Sequence, residues 1–284
     1  MNTNVLACID GSEHTATVCD YAAWASCQLG AHLVLLHVLH KPEPTMLLNL
    51  SAAASLHAQD DITAELAALD KKRIELAKEQ SRQVLEHASA HVTQAGFPKP
   101  RTIQREGRLA QVLDQYEDYS QMLVLGRQGT NADDTPSRLG SHVEQVIRTT
   151  DKPLLLTTGE FKKPAKVMLA FDGSDTTRKG LDMLAGSPLF RGLECHIVMV
   201  AGPNPHNLEL LEVARLQLET AGLKATSALL QGEVKKNLLA YQQKQNIDLM
   251  VMGAYGHSRM RQWLLGSITD LMLMESPQPL LILR

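Results

Sequence analysis

Cysteine is scarce and unpaired in this chain of 284 residues: Cys8, Cys19, Cys27 and Cys195 form no Cys-x-x-Cys spacing. That excludes a disulfide framework or a cysteine-rich zinc site, and predicts reduced structural thiols in apolar strands and helices. Excess charge is also missing, since a formal net charge of −3 gives no general attraction to polyanions. Nucleic acid and membrane surfaces are therefore not expected as partners. No apolar run approaches the ~20 residues that span a bilayer, and the first strand begins by Val5 with no basic, then apolar, leader, so a cytoplasmic protein is expected. Two catalytic signatures are absent as well. There is no Gly-x4-Gly-Lys-Ser/Thr loop to place a lysine on phosphates, and spacing alone singles out no Ser/His/Asp or paired-carboxylate constellation.

What the chain does contain is a repeat. Asn4-Val-Leu-Ala-Cys-Ile-Asp10-Gly11-Ser12 returns as Lys166-Val-Met-Leu-Ala-Phe-Asp172-Gly173-Ser174. At the same displacement, Leu33-Val-Leu-Leu-His-Val38 returns as Cys195-His-Ile-Val-Met-Val200. Both halves close with proline before an apolar strand, Pro153-Leu-Leu-Leu156 and Pro279-Leu-Leu-Ile282. A repeat this long is a duplicated domain, not a solenoid, and the length suits two domains of roughly 100–200 residues each. The expected units are 1–160 and 161–284.

Within each half, short apolar runs alternate with helical patterns, which predicts parallel sheets wound by crossover helices. In the second half, strands are expected near 166–171, 195–200, 224–229, 248–252 and 279–283. Helices are expected at Thr176 to Ala185, Asn207 to Ala221, Val234 to Gln245 and Ser267 to Met274. The last strands, Leu154 to Thr157 and Leu280 to Leu283, would be exposed edges unless paired, which predicts packing of the halves about a pseudo-twofold axis. The first half also carries an insertion over about 41–95. Its Ala, Leu, Glu, Lys and Gln predict helix, serving either as a longer crossover over the sheet or as a lid or partner-binding arm. Within it, His87 and His91 stand at i, i+4 spacing. Glu86 precedes rather than separates them, and with no third ligand evident a polar helix face accounts for both.

The most informative motif is Gly253-Ala-Tyr-Gly256, nine residues, then Gly266-Ser267, directly after the apolar run Leu249 to Met252. Glycine at a strand exit lets backbone approach a ligand. A helix opening at Gly266-Ser267 would offer unpaired amides and a positive dipole end to an anion. A phosphorylated small molecule is the expected ligand.

Together these residues resemble the universal stress proteins in their tandem form, and the resemblance covers nearly the whole chain apart from the insertion. It implies an α/β fold of two doubly wound, five-stranded, Rossmann-like parallel-sheet domains. The nucleotide-binding members of that family carry an aspartate ending the first strand, a valine ending the second, and Gly-x2-Gly-x9-Gly-Ser/Thr. Asp172, Val200, Gly253, Gly256, Gly266 and Ser267 satisfy this pattern. The resemblance implies adenine near Asp172 and the Val200 backbone, ribose against Gly253, and phosphates on the loop and Gly266-Ser267. The wider expected set is Ala170, Phe171, Met252, Tyr255, His257, Ser258, Arg259, Ile268 and Thr269, with Phe171 and Met252 as apolar walls for the base. The cofactor implied is ATP, or ADP or AMP, with or without magnesium.

The first half offers Asp10, Val38, Gly126, Gly129, Gly140 and Ser141, but ten residues separate Gly129 from Gly140, and Asp133, Asp134 and Pro136 lie between them. Those carboxylates predict weak or no ATP binding. Arg127 and Arg138 offset part of that charge and leave another anion open, while the alternative for Asp10 and Asp172 is a helix-capping turn. The functional expectation is a nucleotide-responsive regulator. A nucleotide-independent interaction scaffold and a slow ATPase, with Asp172 or His257 orienting water, stay open beside it. An unknown protein partner, and either a monomer or a homodimer, are compatible with the internal pseudo-dimer.

Overall fold

The computed structural model describes residues 4–39, 56–128, 141–253 and 272–283. The first half runs β1 (Asn4–Ile9), α1 (Thr15–Leu29), β2 (His32–Leu39), α2 (Leu56–Gln94), β3 (Arg101–Glu106), α3 (Leu109–Asp114), β4 (Ser120–Gly126), α4 (Ser141–Thr149) and β5 (Leu154–Thr157). The second runs β6 (Lys166–Ala170), α5 (Asp175–Gly186), β7 (Glu194–Val200), α6 (Pro205–Thr220), β8 (Lys224–Leu230), α7 (Val234–Gln245), β9 (Leu249–Gly253) and β10 (Leu280–Leu283). Strand and helix bounds fall within a residue or two of the pattern-based expectation. Of the expected helix from Ser267, only its last turn, at 272–275, lies among the described residues.

All ten strands form one sheet in the order β3-β2-β1-β4-β5-β10-β9-β6-β7-β8. The order is a palindrome of the repeat. Every pairing is parallel except at the centre, where β5 and β10 run antiparallel with Leu155 opposite Leu281. Leu154, Leu155, Leu156, Leu280, Leu281 and Ile282 are all at most 3% exposed there. Each such side chain contributes about 1.5–3 kcal/mol on leaving water, so the predicted pairing of the two apolar edges is strongly favoured.

Strand alternation separates two cores. Val5, Ala7, Leu35, Val167, Leu169, Ile197 and Val251 pack under α1, α5, α6 and the last turns of α2. Leu6, Leu36, Met168, Val198, Met250 and Ile282 pack under α3, α4, α7 and the turn at 272–275. A sheet covered on both faces needs near-continuous apolar strands, and these sequences supply them.

The inserted segment is helical from Leu56 to Gln94; 40–55 lie outside the described residues. From Ser81 onward α2 acts as a crossover helix, burying Ser81, Leu85, Ala88, Ser89 and Val92 at three and four spacing. His91 Nε2 meets Asp20 Oδ1 of α1 at 2.7 Å, so this histidine joins two helices.

Cys19 and Cys195 are buried, whereas Cys27 is exposed, which corrects the expectation of four structural thiols. Burial pushes the Cys8, Cys19 and Cys195 thiols up to about 12, leaving them unreactive.

Candidate functional site

The direction of winding reverses beside β6. That strand pairs with β7 on one side and β9 on the other, and β1 is likewise flanked by β2 and β4. In open parallel sheets a ligand crevice lies outside the carboxyl ends of the strands at this switch point. Asp172 follows β6 there, Gly253 ends β9, and Val200 ends β7.

Asp172 is exposed and builds a local turn: its Oδ1 accepts from the Ser174 backbone N–H at 2.9 Å and from Thr177 Oγ1 at 2.9 Å. The α5 N-cap is Ser174, whose side chain accepts from the Thr177 backbone N–H. The capping alternative for Asp172 is therefore displaced by two residues, with the aspartate closing the turn that delivers the cap. Gly173 has φ +76°, a left-handed conformation that glycine tolerates.

Gly253 meets the protein itself. A Cβ placed on it would stand 2.7 Å from Thr176 Cγ2 and 3.2 Å from Thr176 Cβ. The first glycine of the motif thus lets β9 approach the start of α5, a packing requirement invisible in the spacing. The corresponding Gly126 has the Gln128 carbonyl at 3.0 Å and Val18 Cγ2 at 3.5 Å from such a Cβ.

β7 outruns β6 at its carboxyl end. Its pairing with β6 ends at Ala170 opposite Val198, with Phe171 N–H donating to the Val198 carbonyl at 2.9 Å. Its pairing with β8 continues to Val200 opposite Leu230. Val200 is therefore on the rim of the crevice. Ala170, Val200 and Met252 share one face of the sheet, while Phe171, 4% exposed, lies in the core of the other. Phe171 and Met252 do not stand together as walls of one pocket. Of the remaining expected positions, Tyr255, Gly256, His257, Ser258, Arg259, Gly266, Ser267, Ile268 and Thr269 lie outside the described residues.

The first half has the same frame with different contents. Asp10 Oδ1 accepts from the Ser12 N–H at 3.0 Å, but the N-cap position of α1 is His14, which makes no side-chain capping bond. The Ser12 and Thr15 hydroxyls, counterparts of Ser174 and Thr177, are buried without a hydrogen-bond partner. His37 Nδ1 contacts Ser81 Oγ of α2 at 2.6 Å; burial lowers its pKa, with Asp10 opposing. The insertion thus reaches the carboxyl end of β2, one residue before Val38. Gly129 and Gly140 lie outside the described residues, and α4 starts at Ser141.

Arg127 departs from its expected role of offsetting loop carboxylates. Its Nη1 donates to the Ser276 carbonyl at 2.5 Å and its Nη2 to Thr158 Oγ1 at 3.0 Å, so the guanidinium bridges the two halves. Among the described residues, no group of three or more His, Cys, Asp or Glu could hold a metal ion, and no helix is long and apolar enough to cross a membrane.

A tandem, doubly wound α/β pair with a crevice at each switch point defines the class. The family model described as "Universal stress protein family" matches residues 1–158 and again 164–284. The chain belongs to the universal stress protein family. It is 33% identical over 285 residues to a universal stress protein of Synechocystis, covering 99% of both chains. Among solved structures, a universal stress protein from Archaeoglobus fulgidus superposes with a TM-score of 0.74 at 19% identity, over 100% of this chain and 97% of that one. One from Pseudomonas aeruginosa gives 0.62 at 15% identity, over 99% and 92%.

Proposed function

We propose that the unit 161–284 binds an adenine nucleotide at the carboxyl ends of β6, β7 and β9, and that the protein is a nucleotide-responsive regulator. The observation that carries this reading is the convergence, at one switch point, of Asp172, the protruding rim residue Val200 and the glycine Gly253. Those are the described positions of the motif that marks the nucleotide-binding members of the family. The base would sit beside Asp172 and the Val200 backbone, with phosphates toward the glycine motif ending at Gly266-Ser267, and ATP, ADP or AMP are the candidates.

In the unit 1–160, Arg127 is committed to the interface between the halves, which removes a cation from the charge balance of its loop. Weak or absent ATP binding is the reading for that half. Turnover is not part of the proposal, because the described crevice holds no placed base beside Asp172.

Calorimetric titration of ATP, ADP and AMP into the whole protein tests this, together with chromatography of any nucleotide released on denaturation. Binding that is lost in Asp172→Ala and in Gly266→Asp is expected. No heat with any adenine nucleotide, or binding unchanged by both substitutions, would refute it.

A further inference from the structure

Much of α2 stands clear of the protein. Every residue from 68 to 80 is exposed except Ala77, a stretch of roughly 20 Å of helix at 1.5 Å per residue. At its base, Lys78 Nζ reaches Glu106 at 2.9 Å and the Gln104 amide reaches the Lys78 carbonyl at 3.3 Å. Beyond that anchor the helix carries apolar side chains into water: Leu69 is 58% and Leu76 56% exposed. They stand seven residues apart with Arg73 between them, a four-three alternation that keeps one stripe of a helix facing a second helix. Isolated helices are marginal in water, and helices in proteins draw most of their stability from packing such a stripe.

The charges along the helix say what fits the stripe. Its sequence runs through Asp60, Asp61, Glu65 and Asp70 without a lysine or arginine, then through Lys71, Lys72, Arg73 and Lys78, with Glu75 and Glu79 interspersed. A helix that changes sign along its length is complementary to a second copy of itself laid antiparallel, and repels one laid parallel. We propose that α2 is a dimerisation arm. Two copies of this chain pair their arms antiparallel, with Leu69 and Leu76 in the seam and the acidic stretch of each beside the basic stretch of the other. The surface is separate from both switch points and from the central β5–β10 junction.

Light scattering coupled to size exclusion on the full chain tests this. The expected mass at micromolar concentrations is twice the 31.2 kDa of one chain. It falls to one chain in Leu69→Glu/Leu76→Glu and in Lys71→Glu/Lys72→Glu/Arg73→Glu, with far-UV circular dichroism showing both variants folded. Mixing the second variant with Asp60→Lys/Asp61→Lys/Glu65→Lys restores a dimer of one copy of each. A wild-type protein that stays a single chain, its arm left for some other partner, would overturn the proposal. So would a dimer that survives in either leucine or lysine-arginine variant, or a mixture that fails to associate.

Discussion

Gly253→Ala separates two reasons for a glycine at the head of the phosphate-binding motif. If the glycine serves only ligand approach, a methyl group there leaves folding untouched. In this structure the new Cβ would lie 2.7 Å from Thr176 Cγ2 and 3.2 Å from Thr176 Cβ, inside van der Waals contact. β9 is held between β6 and β10, so the strand cannot retreat without disturbing two ladders. Gly253 is not among the positive-φ glycines, so alanine brings no backbone strain and the contact alone sets the cost. Forcing one extra carbon into a packed site costs about 1–3 kcal/mol. Thr176→Ser removes the nearer of the two atoms and by itself costs about 1 kcal/mol or less. The double variant should then be more stable than the sum of the singles predicts, by on the order of 1 kcal/mol, a coupling that contacting residues show and distant ones do not. Urea unfolding followed by circular dichroism reads these differences as shifts in midpoint at constant slope. A Gly253→Ala protein as stable as wild type, or a cycle that sums additively, would refute the packing argument.

Three further outcomes follow from particular contacts. Asp172→Ala removes the acceptor of the Ser174 N–H and the Thr177 hydroxyl; a loss of about 1 kcal/mol in stability should accompany the loss of nucleotide binding, measured by urea midpoint and calorimetry. Arg127→Met deprives the Ser276 carbonyl of its donor and should cost about 1–3 kcal/mol; an unchanged midpoint would show the bridge to be idle. His37 and His196 both have pKa values lowered from 6.5, chiefly by burial, against the opposing pull of Asp10 and Glu194. The unfolded chain then binds more protons than the folded one below about neutral pH, so their contribution is fully present above 6.5 and is lost as pH falls through the range beneath it. Melting temperature should drop between pH 7.5 and 5.5, and the drop should shrink in His37→Gln/His196→Gln; an equal drop in that variant would assign the effect elsewhere.

The repeat and the strand ends were legible because burial on both faces writes parallel strands as unbroken apolar runs, and because duplication prints each run twice. Proline before an apolar tetrad in both halves was enough to pick out the two edges that meet. Side-chain partnerships across the fold were not legible. Phe171 and Met252 look like neighbours of a base when only strand ends are known. The register Leu169 opposite Val251 puts Met252 level with Ala170, on the face that Phe171 does not share. Arg127 sits beside a glycine motif in sequence and was read as a phosphate counter-charge. Its partner lies 149 residues away, a distance over which no periodicity carries information. The insertion read correctly as helix, but composition could not say that only its last turns pack on the sheet.

The antiparallel seam between β5 and β10 has a consequence for how the halves can influence each other. Because the strands of one half run opposite to those of the other, their carboxyl ends, and with them the two switch points, open on opposite edges of the ten-stranded sheet. The two crevices therefore share no residue, and any coupling between them has to cross the centre. Arg127 stands at that crossing. It follows the glycine that ends β4, and it holds the carbonyl of Ser276, which directly follows the helical turn at 272–275, whose Met272 and Leu273 pack in the core beneath β9 and β10. Ser276 is itself fully buried, with its hydroxyl beside Gln242 of α7 and the Gln278 carbonyl. A displacement of that turn therefore cannot dissipate into solvent and is passed to the guanidinium. Duplication supplied two crevices facing apart, and this single cross-domain hydrogen bond links the end of one glycine strand to the helical turn that precedes the other half's last strand.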